Sequence, residues 1–210
     1  MTADHINHAD RTDNGEHAII AVEHVTFGYK KKQTVLEDID FTVPQGQSLA
    51  ILGYNGVGKT TLLAHIAEEL LARSDVRTFY MPQNYAELLP RDCTSVGFLA
   101  PDGDKAAVTA ARLLMGSAHF TREEMLAPIG ALSGGQRAKL CLLRPILSGA
   151  DVLILDEPTR NFSPLSNPVI RGILRGYGGA ILSVSHDRKY LLEVAETLYR
   201  QTPEGLRREW

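Results

Sequence analysis

Gly53-Tyr54-Asn55-Gly56-Val57-Gly58-Lys59-Thr60-Thr61 is the stretch from which the fold of this chain can be read. It follows an apolar run, Ser48-Leu49-Ala50-Ile51-Leu52, and precedes a helix-like segment, Leu62-Leu63-Ala64-His65-Ile66-Ala67. Strand, glycine-rich loop and helix in that order match G-x-x-x-x-G-K-[ST], a phosphate-binding loop. Gly53, Gly56 and Gly58 permit the positive φ values and close backbone approach that an anion nest needs. Successive N–H groups through Tyr54, Asn55, Val57 and Thr61 then face an anion, together with the positive end of the helix. Lys59 supplies a mobile cation for β- and γ-phosphates, and the Thr60 hydroxyl is placed to ligate Mg²⁺.

The bulk of the sequence sets bounds on this reading. The 210 residues are 44% hydrophobic and 22% charged with a net charge of −3, which predicts a soluble globular protein with one sizeable core or two small ones. The slight acidity gives no general pull toward nucleic acid or anionic membranes. No apolar run approaches the length of a transmembrane helix. Asp4, Asp10 and Asp13 stand where a signal peptide would be apolar, so a cytoplasmic location is expected. Cys93 and Cys141 are far apart and in no metal-ligand spacing, so a disulfide is not expected.

Residues 1–17, with His5, His8 and His17 scattered among Asp and Asn, read as a disordered polar tail, and one domain is expected over 18–210. Ile19–Val22, Val25–Tyr29 and Ile39–Val43 are β-like, with Lys30-Lys31-Lys32 at a hairpin tip. Tyr29 closes a strand ahead of the loop; stacking on a base and packing into the core are both open to it. A short strand over Val76–Met81 ends at Pro82-Gln83. Residues 84–148 then read as a small helical insert in an α/β core, with a capping box at Thr121-Arg122-Glu123-Glu124. Pro145 predicts a kink or early stop in the helix of Arg137–Leu143. Asp151–Pro158 and Ala180–His186 are apolar runs of the kind buried on both faces of a parallel sheet. They leave Asp156, Glu157 and His186 at strand ends, where ligands of open α/β sheets bind. Thr197–Trp210 resembles a closing hairpin turned at Thr202-Pro203-Glu204-Gly205.

Paired acids at a strand end suit a nucleotide hydrolase, one holding Mg²⁺ and the other polarising water. A capping role is the plainer alternative, as a core role is for His186. Leu132-Ser133-Gly134-Gly135-Gln136 opens a second anion-ready helix, or a plain turn. Taken in order over about residues 19–200, these motifs resemble the ATP-binding cassette (ABC) ATPases. The resemblance implies a P-loop α/β fold with a mostly parallel core sheet, an N-terminal antiparallel β part and a helical subdomain. It implies ATP and Mg²⁺ as cofactors and ATP hydrolysis as the activity. Tyr29 would stack on adenine, Gly53–Thr61 would cradle the phosphates, and Thr60, Gln83 and Asp156 would serve Mg²⁺. Glu157 would activate water, with Gln83 and His186 beside the reacting γ-phosphate. Ser133, Gly134, Gly135 and Gln136 would cover ATP held by a second cassette, in a homodimer or a hetero-pair.

Within that family the motifs look like the second cassette of the F subfamily, soluble twin-cassette proteins that act on ribosomes. About two dozen residues separate Lys59 from Gln83, less than transporter cassettes usually carry. The Asp156-to-Ser166 block and Ser183-Val184-Ser185-His186-Asp187-Arg188 have the same character. Three departures stand out: Tyr54 replaces a usual Pro, Ser163 replaces the D-loop Asp, and these 210 residues hold one motif set with no long charged linker. Three functions are therefore expected to compete: an ATPase working on the ribosome or another cytosolic target, the ATP-binding subunit of a membrane transporter, and a regulatory cassette that does not hydrolyse.

Overall fold

Parallel strands that end on one edge position the site, and the elements around them follow from the apolar pattern. The computed structural model describes residues 18–30, 33–53, 58–160, 162–164, 166–202 and 205–210, without the side chains of 27–30, 33–37 and 86–87. The expectations for the tail 1–17, for Lys31 and Lys32, for Tyr54–Val57 and for the Tyr29 ring fall outside those residues, as do Asn161, Leu165, Pro203 and Glu204.

The chain divides into two compact units. The first takes the described residues up to Pro82, then Asp151–Pro158 and Gly178–Trp210. Its main sheet has six strands in the order β4-β5-β6-β3-β7-β8, with β3 Ser48–Gly53, β4 Thr78–Met81, β5 Val152–Asp156, β6 Ala180–Val184, β7 Thr197–Thr202 and β8 Gly205–Arg208. All neighbours are parallel except β7 and β8, which form the C-terminal hairpin. β5 and β6 are buried at every position, the pattern of central strands covered on both faces. A second sheet pairs β1 (Ala18–Lys30) with β2 (Gln33–Pro44), antiparallel and bulged. The mostly parallel sheet with an antiparallel N-terminal part agrees with the fold class expected from the sequence.

Helix α1 (Lys59–Leu71) places Leu62, Leu63, Ile66 and Leu70, all at 0% exposure, at i, i+1, i+4 and i+8. These join one apolar cluster with Ile20, Val22 and Ile39 of the small sheet, Leu49 and Ile51 of β3, and Ile154 and Leu182. At the bulge of the small sheet, His24 and Asp38 carry φ values of 51° and 50°. His24 Nδ1 lies 2.7 Å from Asp38 Oδ1, and the His24 N–H donates to Asp40 Oδ1 at 2.9 Å. The bond to Asp38 pushes the imidazole pKa up, and protonated His24 pairs with Asp38 and Asp40 across the exposed bulge. Helix α7 (Arg188–Val194) starts at Asp187, whose carboxylate accepts from the N–H groups of Lys189 and Tyr190.

The second unit comprises Gln83–Ala150 and Thr159–Tyr177, so it holds more than the 84–148 stretch. Its helices are α2 Ser95–Leu99, α3 Lys105–Ser117, α4 Arg122–Leu126, α5 Gly134–Leu147 and α6 Asn167–Arg175, with a 3₁₀ turn at Tyr85–Leu88. Asp104 caps α3 through Ala106 and Ala107. Pro145 does not stop α5 at Leu143: the helix runs on to Leu147 although proline has no N–H to give the Cys141 carbonyl. The Ser148 N–H still reaches Arg144 O at 2.9 Å, and the Ala150 N–H reaches Pro145 O at 2.9 Å. Both cysteines are free, with Cys141 buried and its pKa pushed up to about 12 by that burial. Among the described residues, no helix is long and apolar enough to cross a membrane.

Leu63→Ala removes a fully buried side chain from the cluster around α1. It is expected to lower unfolding stability by about 2–5 kcal/mol, measured by urea denaturation.

Candidate functional site

In the first unit, β3 delivers the loop and α1 receives it. Gly53 is the last residue of β3 and Gly58 the N-cap of α1, with φ of 86°. Gly58 is thus where glycine's left-handed freedom is used. Gly53 stays in the strand instead and contributes its carbonyl, which accepts from Lys59 Nζ at 2.6 Å. This folds the lysine back onto the end of β3, with 7% of the residue exposed. Burial lowers the Lys59 pKa, while Glu157 and Asp156 pull it back up. Thr60, the next residue, is exposed and Thr61 half-buried.

The carboxylates arrive from β5, on the same edge of the sheet as Gly53 because the strands run parallel. Asp156 is 1% exposed at the end of β5. Glu157 follows with φ of 53°, a left-handed conformation costly for a side chain of this kind and concentrated at functional sites. Its N–H donates to Val184 O at 2.9 Å, which ties the turn to β6. Its Oε2 accepts from the His186 N–H at 3.3 Å, and its Oε1 lies 3.6 Å from His186 Nε2. His186 is set by its neighbours: the Ser185 N–H bonds Ile51 O at 3.4 Å, and Ser185 Oγ accepts from the Asp187 N–H at 3.2 Å. Burial raises the Glu157 pKa, outweighing the help of the His186 N–H and ring and of Lys59; Asp156 adds to the rise. Buried Asp156 and half-buried Glu157, when both are ionised, leave negative charge in excess of the one ammonium. Carboxylate oxygens, like the Thr60 hydroxyl at the start of α1, are the hard donors that a divalent cation such as Mg²⁺ prefers.

The second unit holds Gln83 and the Leu132–Gln136 motif. Gln83 is exposed, and its Oε1 accepts from Arg160 Nη1 at 3.0 Å. Two residues on, buried Tyr85 donates its hydroxyl to Gly134 O at 2.8 Å. Ser133 caps α5 in a capping box: its Oγ accepts from the Gln136 N–H at 3.3 Å, and Gln136 Oε1 accepts from the Ser133 N–H at 2.7 Å. Gln136 Nε2 also donates to Glu124, which forms the matching box with Thr121 at the start of α4. Ser133 and Gly134 remain exposed beside a recess of about 330 Å³ lined in part by Gly135, Gln136, Lys139 and Ser163. Lys139 donates to Ala118 O at 3.0 Å and lies over the Phe120 ring. Ser163 has a structural use as well, since its Oγ accepts from the Ser166 N–H just before α6.

Arg160 and Tyr85 had no role of their own in the sequence reading, and Glu124 had only its place in the Thr121 capping box. The second capping box was readable from Ser133-x-x-Gln136; the partners of Arg160 and Tyr85, remote in sequence, left no local signal.

A parallel sheet with a lysine-bearing loop on one strand and paired acids on another defines a P-loop nucleotide-binding cassette. Residues 36–160 match the ABC transporter family, and the chain belongs to it. Relatives include YdiF of Bacillus subtilis, 31% identical over 195 residues, 90% of this chain and 30% of YdiF. The ribosome protection protein VmlR of the same bacterium is 34% identical over 188 residues, 87% of this chain and 34% of VmlR. ABC transporter F family member 5 of Arabidopsis thaliana is 28% identical over 185 residues, 84% of this chain and 27% of that protein. This chain therefore spans roughly a third or less of the length of these curated relatives. The ATP-binding cassette MJ0796, in a dimeric post-hydrolysis state with ADP and Pi, shares the fold with a TM-score of 0.75 at 18% identity, covering 90% of this chain and 97% of that one.

The raised Glu157 pKa has a definite sign. Between the unfolded and the higher folded pKa, the folded state holds the extra proton, so stability falls as pH rises through that window. Glu157→Gln is expected to be more stable than wild type at pH 8 without nucleotide, with the gap closing below the ordinary carboxylate range. Urea denaturation at both pH values checks this.

Proposed function

We propose that this chain binds ATP with Mg²⁺ and hydrolyses it as one cassette of a pair. The observation that carries the reading is the gathering of Lys59, Asp156, Glu157 and His186 at one sheet edge, with Glu157 raised in pKa by burial. Lys59 neutralises β- and γ-phosphate oxygens, and Gly53–Thr61 supply backbone donors. Thr60, Asp156 and Gln83 offer the oxygen ligands for Mg²⁺, which when bound neutralises charge on the phosphates. Glu157 takes a proton from the attacking water as its oxygen bonds to the γ-phosphorus and the bond to the bridging oxygen of ADP breaks. A general base works best with a pKa near the working pH, and burial moves Glu157 in that direction. His186 donates to a γ-phosphate oxygen, and Tyr29 stacks on adenine.

Ser133, Gly134, Gly135 and Gln136 of one cassette cover the ATP of the other, in a homodimer or with a second, different cassette. The exposed Ser133 and Gly134 at the start of α5 support that role, since a helix N-terminus favours an anion. The relatives, one named as an F family member and another for ribosome protection, support a cytoplasmic role at the ribosome. The short path from Lys59 to Gln83, occupied by α1 and β4, supports this reading over the ATP-binding subunit of a membrane transporter.

Lys59→Ala is expected to abolish binding of a fluorescent ATP analogue; unchanged affinity in a titration would remove the phosphate-loop assignment.

Glu157→Gln keeps the size of the side chain but takes no proton, so bound ATP persists. With Mg-ATP it is expected to sediment as a dimer, and adding Ser133→Arg to return it to monomer with ATP still bound. A Glu157→Gln chain that stays monomeric with ATP bound rules out the homodimer.

A further inference from the structure

The starts of α4 and α5 both lie in the second unit, and one side-chain amide joins them. Gln136 accepts from the Ser133 N–H at 2.7 Å with its oxygen and donates to Glu124 with its nitrogen. Glu124 accepts from the Thr121 N–H at 2.8 Å with Oε2, which leaves Oε1 to meet Gln136. These contacts fix the amide from both ends. A backbone N–H requires its oxygen, and a carboxylate, which only accepts, requires its nitrogen. Turned over, the amide would set donor against donor at Ser133 and acceptor against acceptor at Glu124. Lys139, one turn further along α5, feels the Glu124 charge, and one ammonium offsets one carboxylate rather than two.

The held amide decides what Ser133 offers to solvent. Ser133 Oγ accepts from the Gln136 N–H at 3.3 Å, so its own proton is left to donate elsewhere. Ser133 and Gly134 are exposed, and the first N–H groups of a helix have no partner within it. We propose that Glu124 is a positioning residue for this motif. Its carboxylate fixes the Gln136 amide, and the amide holds Ser133 and Gly134 so that their donors face the phosphates of a second cassette's ATP. This rests on the reading of Ser133–Gln136 as the cover of that ATP. The device depends on unlike side chains. Three residues after a capping Ser or Thr, Gln and Glu both serve, so each box by itself accepts either. Only the tie between the boxes requires one of each.

The test swaps the two side chains. Gln136→Glu sets carboxylate against carboxylate, and Glu124→Gln sets amide nitrogen against amide nitrogen. The double variant restores a donor facing an acceptor and keeps both capping boxes. Each change is made in the Glu157→Gln chain, and dimer dissociation in Mg-ATP is measured by sedimentation over a range of protein concentrations. Each single variant is expected to weaken the dimer about tenfold, and the double variant to recover most of that loss. A double variant as weak as the two single losses combined overturns the proposal. Binding of a fluorescent ATP analogue, at protein concentrations too low for pairing, is the control. A loss there that matches the loss of dimer shows damage to the whole chain, and overturns the proposal as well. A dimer indifferent to all three variants removes the role of Glu124 and leaves the pairing of cassettes in place. A Glu157→Gln chain that forms no dimer at any concentration removes that pairing, and the proposal with it.

Discussion

The ammonium of Lys59 is buried on the Gly53 carbonyl at the end of β3 and feels the charge of two carboxylates. A buried charge must be compensated, and here compensation requires that β3, α1 and β5 all arrive at one place. Parallel pairing of β3 with β6 and of β6 with β5 meets that requirement, because it brings every carboxyl end to the same edge. The apolar cluster beneath holds the register, with α1 filling its centre through Leu62, Leu63, Ile66 and Leu70. The charged edge and the apolar interior are thus one construction: α1 begins with the lysine and buries its next turns in the core.

Glu157 takes the strain that this arrangement generates. Its left-handed φ turns the chain sharply at the end of β5, and the bonds from its own N–H to Val184 and from the His186 N–H to its carboxylate fix that turn. The result is a carboxylate with a raised pKa facing a histidine whose backbone is held by Ser185 and Asp187. Excess negative charge at this edge supports the reading of a cation-dependent phosphate site.

The second unit organises its polar residues by a different device. Two capping boxes, Thr121–Glu124 and Ser133–Gln136, satisfy the first N–H groups of α4 and α5, and Gln136 then bonds Glu124 to join them. Ser133 is therefore oriented by its own helix end. Tyr85 and Arg160 extend the same polar network to Gln83 and to the turn before α6. Ser163, in place of an acid, spends its oxygen on the Ser166 N–H, which gives that substitution a local structural use.

Much of this was legible in the sequence because it is local. Glycine spacing and Lys59 follow from a loop between strand and helix, apolar runs announce strands buried on both faces, and Thr-x-x-Glu announces a helix start. Family membership was also legible, since five motifs in a fixed order carry it. Tertiary structure alone decided the rest. Gly53 proved to be an acceptor for Lys59 rather than a positive-φ residue, and α5 ran past Pro145 to Leu147. The strain at Glu157 and its raised pKa depend on β6 lying alongside β5, and the Arg160–Gln83 and Tyr85–Gly134 bonds join residues remote in sequence. Periodicity and spacing encode what a residue does with its near neighbours; the charge state and orientation of a buried polar group depend on what the fold brings against it.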